Sequence, residues 1–339
     1  MIKNYLKILV ILFILSLMFG LEVIFAGEQK VLIIHSYSRK ARFEWVNDMS
    51  NGVKKILKEP YYRFYEFEMH TKLIPQSDFE KKADEALAYC KTVNPDIVII
   101  SDDNGLNLMV PRIGKKTPIV FMGINANIRL SYPWLLEYRN VTGILERPLI
   151  KLTIIKMAKL VTLDVRKALI LLGDSPTARA FFQNDLLGKT EFKILNIQAN
   201  VKMTGNFTEW KKHIRESKQK KYDILLVAGN LAMRGKGGRY IKPEKIAEWI
   251  SKNSPIPAFT VHENQIGKNQ LIGGMVISGK VMGEDAAKLV KIIIEKNRKP
   301  GTILYKTQKK GRLIFCKSQL ARWNLKVIPN NSFKVIFKE

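Results

Sequence analysis

The chain has 339 residues, of which 46% are hydrophobic and 26% charged. That is enough apolar material for about two folded domains, and too much for a disordered chain. Lys and Arg number 57 against 30 Asp and Glu, a formal net charge of +27; the lysines are spread along the chain without an aromatic-plus-basic signature or a basic tail, so they read as a solvated surface and no nucleic-acid partner is expected.

Residues 1–26, "MIKNYLKILVILFILSLMFGLEVIFA", read as a secretory signal peptide. Lys3 and Lys7 precede an apolar core from Ile8 to Phe19, and Phe25-Ala26-Gly27 forms a small-residue exit. Its removal takes two lysines and one glutamate and leaves a charge of +26. The periplasm or its equivalent is the expected location. An uncleaved N-terminal anchor is the rival reading, but Glu22 and the short core count against it, since a span needs about 20 apolar residues. Two cysteines remain, Cys90 and Cys316. Export permits a disulfide, but two buried thiols are expected in preference to a bridge.

From residue 30 onward, short apolar runs alternate with amphipathic stretches. "KVLIIHS" reads as a strand. "EWVNDMSNGVKKILK" has helical spacing through Trp45, Met49, Val53 and Ile56. "YRFYEFEMH" alternates as a strand does, and "SDFEKKADEALAYCKTV" opens a helix at a Ser77 or Asp78 cap. "DIVIIS" and "TPIVFMG" are further strands. The pattern then starts again: "RKALILLGDS" strand, "ARAFFQNDLL" helix, "FKILNIQA" strand, "FTEWKKHIRESKQ" helix, "YDILLVAGN" strand, "PEKIAEWISK" helix and "IPAFTVHEN" strand. Strands alternating with helices imply mostly parallel sheets covered on both faces. "KVLIIHSYS" answers "KALILLGDS", "PDIVIISDDN" answers "YDILLVAGN", and "TPIVFMGIN" answers "IPAFTVHEN", at offsets of roughly 127 to 139 residues. The expected fold class is therefore α/β with two similar lobes. A strong helix, "KVMGEDAAKLVKIIIEKN", and the segments "PGTILYKT", "RLIFCKS" and "LARWNLKVIPNNSFKVIF" complete the chain. Residues 27–141 are assigned to the first lobe, completed by about 274–300. The second lobe is 142–273, and 301–339 form C-terminal crossover strands.

In open parallel sheets, ligands bind beyond the carboxyl ends of the strands. The run Ile97–Ile100 stops at Ser101, Asp102, Asp103 and Asn104. Ser36 and Tyr37 follow the first strand and Asn125 the fourth. The second lobe places Asp174, Ser175, Asn230 and Glu263 at matching positions. Any one of these residues is as well explained as a helix cap or turn; the set points to binding. Tyr37 and Trp45 flank the first strand-to-helix loop, where an aromatic ring could stack on a ligand. Trp45 is equally well explained by packing on the sheet.

Catalytic motifs fail. "GNLAMRGKGG" has five residues before Gly235-Lys236 where a phosphate loop needs four, and Gly237 where it needs Ser or Thr. In "GDSPT", Thr177 replaces the second glycine of a nucleophile elbow. No dinucleotide fingerprint follows the first strand, and the four histidines lack metal spacing. No catalytic residue, cofactor or metal is expected.

The ordered motifs "VLIIHSY…W…G", "DIVIISDDN", "PIVFMGIN", "VTGILE", "IGGMVISG…GEDAAKLV" and "LARWNLKVIPNNS" resemble ABC-transporter substrate-binding proteins of the tryptophan and tyrosine uptake type. The resemblance implies the type I periplasmic binding protein fold: two Rossmann-like lobes joined by a hinge, with a ligand between them. It implies cleft positions at Ser36, Tyr37, Asp102, Asp103, Asn104, Asn125, Asp174, Ser175, Asn230 and Glu263, and a first crossover at Gly143 and Glu146. The expected function is capture of a small amino-acid-like solute, aromatic solutes included, and its delivery to an ABC permease in the membrane by hinge closure. The expected state is a monomer. The alternative is a periplasmic ligand sensor partnering a membrane signalling receptor.

Overall fold

The structure is a computed structural model that describes residues 27–39, 44–230, 232–308, 311–328 and 334–339. The expected signal peptide over 1–26 and part of the closing "LARWNLKVIPNNS" motif lie outside the described residues. Elements run in the order β1 (Gln29–His35), α1 (Glu44–Ile56), β2 (Tyr62–Glu68), α2 (Phe79–Val93), β3 (Ile97–Ser101), α3 (Asp102–Ile113), β4 (Ile119–Ile124) and β5 (Val141–Leu145). Then come α4 (Ile150–Leu160), β6 (Lys167–Leu172), α5 (Pro176–Asn184), β7 (Glu191–Ile194), β8 (Ile197–Met203), α6 (Phe207–Arg215), β9 (Ile224–Ala228), α7 (Pro243–Asn253), β10 (Ala258–Thr260) and β11 (Gly273–Val276). The chain closes with α8 (Gly279–Ile294), β12 (Lys306–Thr307), β13 (Arg312–Cys316), α9 (Lys317–Arg322) and β14 (Val335–Lys338).

The chain divides into two compact units. The first holds the described residues up to Met122, with Tyr138–Gly143 and Gly283–Leu304; the second holds Gly123–Glu137, Ile144–Met282 and Tyr305–Glu339. The chain thus passes between units more than once.

The first unit is built on a sheet of order β2-β1-β3-β4-β5-β12, whose last members run on into residues of the second unit. The β1–β2, β1–β3 and β3–β4 pairings are parallel. Val31–Ile34, Ile97–Ile100 and Ile119–Met122 are all fully buried. A strand covered on both faces has no solvent side, which is why these runs are unbroken rather than alternating. The second unit has a sheet of order β10-β9-β6-β8-β7 and a three-stranded sheet β11-β13-β14. Here alternate residues of single strands feed different cores. Ala168, Ile170, Leu172, Ile224, Leu226 and Ala228 enter one cluster, while Leu169, Leu171, Leu225 and Val227 enter another with the buried indole of Trp210. The period-2 geometry of a strand sends neighbours to opposite faces, so each face needs its own apolar set.

One local expectation is corrected, one helix is new, and one expected cap holds its position without its side-chain bond. "FKILNIQA" is not one strand: β7 and β8 pair antiparallel as a hairpin, turned at Leu195 with φ of 54°. Helix α4 was not foreseen. Asp78 stands at the N-cap of α2 but makes no side-chain capping bond there. Both cysteines are free and buried, and burial pushes the Cys90 thiol pKa up. Among the described residues, no helix is long and apolar enough to cross a membrane.

Within the first unit, α8 packs on α1 with little room to spare. A Cβ built on Gly283 would lie 2.0 Å from the Met49 carbonyl oxygen. Lys55 pairs with Glu284 beside it at 2.8 Å. Glycine inside a helix normally costs about 1 kcal/mol against alanine, so alanine at an open site would stabilise. At Gly283 the sign reverses: Gly283→Ala is expected to destabilise by about 1–3 kcal/mol through overpacking, while Lys55→Ala stays within about 1 kcal/mol as an exposed pair. Urea unfolding midpoints check both, and a Gly283→Ala chain as stable as the parent would refute the close approach.

Candidate functional site

In the first unit the ends of adjacent parallel strands stand level. His35 pairs in register with Glu68 on one side and Ser101 on the other, and Ser101 with Met122. The Ser36 hydroxyl donates to the Ser101 carbonyl at 2.6 Å and accepts the Gly105 N–H at 2.7 Å. This bridge needs glycine at 105, because a Cβ there would lie 2.8 Å from the Ser36 Oγ. Thr71 donates its N–H and its hydroxyl to the Ser36 carbonyl, and Asn104 donates its amide to the Thr71 hydroxyl at 3.1 Å. Ser36, Thr71 and Asn104 thus tie β1, the segment after β2 and α3 together.

Asp102 opens α3 and carries a left-handed backbone, φ of 63°. A non-glycine residue in that region is held there by its surroundings at a cost, and such residues gather at functional sites. Only 4% of Asp102 is exposed, and its Oδ2 has no hydrogen-bond partner among the described residues. Burial pushes its pKa up to about 7; nearby Lys72 opposes the rise and Asp103 adds to it. The Lys72 ammonium sits 3.6 Å from the centre of the Tyr37 ring. Tyr37, Lys72, Asp102 and Asp103 therefore form one charged and aromatic group. Trp45 stands half-buried in the first turn of α1.

Beneath this group lies a polar network that sequence reasoning missed. The buried His35 ring places Nε2 3.1 Å from Glu66 and 2.9 Å from the Ser50 hydroxyl, and Ser50 donates to Glu66 at 2.9 Å. Glu66 also pairs with Arg39 and Lys54, each at 2.7 Å. Burial opposes charge on Glu66, but hydrogen bonds from His35 and Lys54 outweigh it and hold the carboxyl well below the usual range. Glu68 is lowered in the same way: burial is overcome by the backbone and guanidinium of Arg39. The constellation Ser50–His35–Glu66 is not a proton relay, because hydroxyl and carboxylate meet the same ring nitrogen rather than opposite ones. It is a rigid support.

The second unit closes most of its strand-end groups on itself. Ser175 caps α5 by accepting the Ala178 N–H at 3.1 Å, and Asp174 holds Arg179 at 2.6 and 3.2 Å. Asn230 and Gln265, both fully buried, exchange amide hydrogen bonds at 3.2 and 2.8 Å. Glu263 pairs with Arg312 and Lys338. The Gly229 N–H donates to His262 Nε2 at 3.0 Å, and burial pushes the His262 pKa down to about 4. Asn125 donates to the Gly123 carbonyl at 3.4 Å. Arg147, also missed, donates to the carbonyls of Ile124, Asn125, Ala126 and Glu146. Asp185, at the end of α5, keeps a buried Oδ2 without a partner, and burial pushes its pKa up to about 7 against the opposing charges of Arg147 and Lys151. Nothing in the sequence around Asp185 distinguishes it from an ordinary helix-end residue. Among the described residues, no group of three His, Cys, Asp or Glu could hold a metal ion.

No protein-family model matches the sequence, and no curated protein does. Solved structures do. A substrate-binding protein with adhesive properties from Clostridium difficile, solved ligand-free and open, is 11% identical over 92% of this chain and 100% of its own, with a TM-score of 0.63. A conserved domain protein from Vibrio cholerae is 14% identical over 91% of this chain and 99% of its own, at 0.56. An ABC domain from Streptococcus pneumonia, in complex with L-Trp, is 12% identical over 91% and 99%, at 0.53. The likeness establishes the fold as that of type I periplasmic binding proteins, as the sequence motifs implied.

The Asp102 carboxyl makes stability depend on pH in a defined direction. Its folded pKa lies above the unfolded value of about 4, so the folded state holds the proton more tightly. The penalty for burying the charge is absent below about pH 4, grows through the interval and is complete above about pH 7. Asp102→Asn, which also tolerates a left-handed backbone, is therefore expected to gain about 1–3 kcal/mol over the parent at about pH 8 and almost nothing at about pH 4. Urea unfolding at both pH values reads the difference; an equal effect at both would show that Asp102 does not titrate with folding.

Proposed function

We propose that the chain is an extracytoplasmic solute-binding protein of an ABC transporter that takes a small amino-acid-like solute. One observation carries the reading: Asp102, at the end of central strand β3, is buried in a strained backbone with an oxygen that nothing among the described residues satisfies. An unsatisfied buried carboxylate is costly. The ammonium of a solute would supply the missing partner. Lys72, next to Asp102 and over Tyr37, has the charge to receive a carboxylate, and the Tyr37 ring offers an aromatic face. A zwitterion with an aromatic side chain meets all three, and the similarly folded ABC domain from Streptococcus pneumonia was solved with L-Trp.

In this mechanism the solute first meets the strand ends of the first unit, and the second unit then closes on it. Contacts made only in the closed form shift the equilibrium toward closure. The closed form is what a membrane permease recognises. The polar pairs of the second unit, Asn230–Gln265 and Glu263–Arg312, stiffen that unit internally. No covalent chemistry is involved. The leader over 1–26 directs export and is removed after Ala26.

Calorimetric titration with the common amino acids is expected to give at least one ligand with micromolar or tighter affinity. Asp102→Asn should weaken that ligand about 10–100-fold, the worth of a charged hydrogen bond. Affinity should also fall as pH drops below about 7, by up to about tenfold per unit, because the free protein then holds Asp102 protonated. Absence of heat with every amino acid would end the zwitterion reading, and binding insensitive to Asp102→Asn would move the site elsewhere.

A further inference from the structure

The solute site does not account for the positive charge of the chain, and part of that charge is concentrated far from it. Where β1, β2 and β4 begin, at the opposite end of the first unit's sheet, a groove of about 1250 Å³ is lined by Gln29, Tyr62 and Pro118. Lys58, Lys115, Lys116 and Arg139 line it from the loops. Lys291, Arg298 and Lys299 line it from α8 and the turn that follows. Among the described residues, one carboxylate lines the groove against these seven cations: Glu295, which already accepts the Tyr62 hydroxyl at 2.9 Å and pairs with Lys291 at 3.4 Å.

Helix ends explain only a little of this. Helices α1, α3 and α8 end here, and cations favour the last turn of a helix. That effect fades within the turn, yet Lys58 lies two residues beyond Ile56, Lys115 and Lys116 lie two and three beyond Ile113, and Arg298 and Lys299 lie four and five beyond Ile294. Six of these cations are exposed and Lys291 is half-buried, and five of the seven are lysines on long stems. A partner of fixed planar geometry is better met by a buried arginine fork. An array of mobile anions is better met by a cluster of lysines. Tyr61, 60% exposed, lines the same groove, and an amphipathic ring of this kind suits the headgroup layer of a bilayer. Gly27 lines the groove too, and it directly follows the apolar leader sequence, so the chain enters the first unit at this place.

We propose that this groove docks the first unit on a membrane surface through anionic phospholipid headgroups. The docking is separate from solute binding, since it uses the other end of the same sheet. Each groove cation near an anionic surface multiplies partitioning by about fivefold, and the interaction is screened by salt.

The test is co-flotation of the full chain with vesicles of phosphatidylcholine alone and with vesicles in which about a third of the lipid is phosphatidylglycerol. The difference between the two isolates the charge-dependent part from any insertion of the apolar leader. The parent should bind the anionic vesicles at least about a hundredfold better, and about 0.5 M salt should remove that excess. The fourfold variant Lys115→Gln, Lys116→Gln, Arg298→Gln, Lys299→Gln should lose at least about a hundredfold of it with an unchanged thermal unfolding curve. Replacing four exposed lysines of the second unit, Lys189, Lys202, Lys236 and Lys252, by Gln should change it by less than about threefold. If the fourfold variant unfolds, Lys115→Gln with Lys116→Gln alone should still lose about twentyfold. No excess for anionic vesicles, an excess retained by the groove variants, or equal losses in both fourfold variants would each overturn the proposal.

Discussion

Two-sided burial of the central strands is the constraint on which the rest of the structure depends. Val31–Ile34, Ile97–Ile100 and Ile119–Met122 in the first unit, and Ile224–Ala228 in the second, admit no polar side chain because no face of these strands meets water. A polar group there would lose its hydration without a partner to replace it. Polar residues are therefore displaced to the strand ends. Parallel register brings those ends to a common level, as His35, Ser101 and Met122 show. The place of the candidate site follows from the hydrophobic effect before any ligand is considered.

The two units use that edge in different ways. Asn230 with Gln265, Glu263 with Arg312, and Ser175 with the Ala178 N–H satisfy one another inside the second unit. Such groups give stiffness and shape. In the first unit, Ser36, Thr71 and Asn104 do the same work, and the His35–Glu66 network stiffens the layer below. Asp102 alone of the predicted acidic residues is buried with an oxygen left over. A rigid frame around an unsatisfied carboxyl oxygen is the arrangement that lets a ligand contribute most of its interaction energy to binding rather than to reordering the protein.

Most of the fold could be read directly because strand burial leaves a strong trace. "DIVIIS" and "YDILLVAG" have one interpretation once helices flank them. Helix α4 left a weaker trace. Its buried positions, Ile150, Thr153, Ile154, Met157 and Leu160, do follow helical spacing. Leu152, Ile155 and Ala158 between them are also apolar, so the period is obscured. The β7–β8 hairpin was hidden for a related reason: Leu195 turns the chain in a left-handed conformation with no glycine or Asn-Gly pair to announce it. At the site, position was legible and state was not. That Asp102 follows a buried strand is visible in the sequence; that Ser36 is committed to Gly105, or that Asn230 is committed to Gln265 35 residues away, is a fact of three dimensions. Glu66 and Glu68 were missed because alternation in "YRFYEFE" looks like a solvent-facing side.

A parallel α/β unit has inherent polarity, and the first unit amplifies it. Every helix that follows a strand points its N-terminus toward the strand ends and its C-terminus back toward the strand beginnings. The first end therefore carries partial positive charge from backbone N–H groups, and there the chain places Asp102 and Asp103 at the start of α3. The second carries partial negative charge from backbone carbonyls, and there it places Lys58, Lys115, Lys116, Arg298 and Lys299. Each cluster is partly neutralised by the helix ends that it faces. The dipoles supply about half an elementary charge per helix end, too little to balance seven cations against a single carboxylate that is already paired. The surplus at the second end is thus a property of the side chains rather than of the fold. The proposed docking draws on that surplus, as the proposed solute site draws on the leftover oxygen of Asp102 at the opposite end.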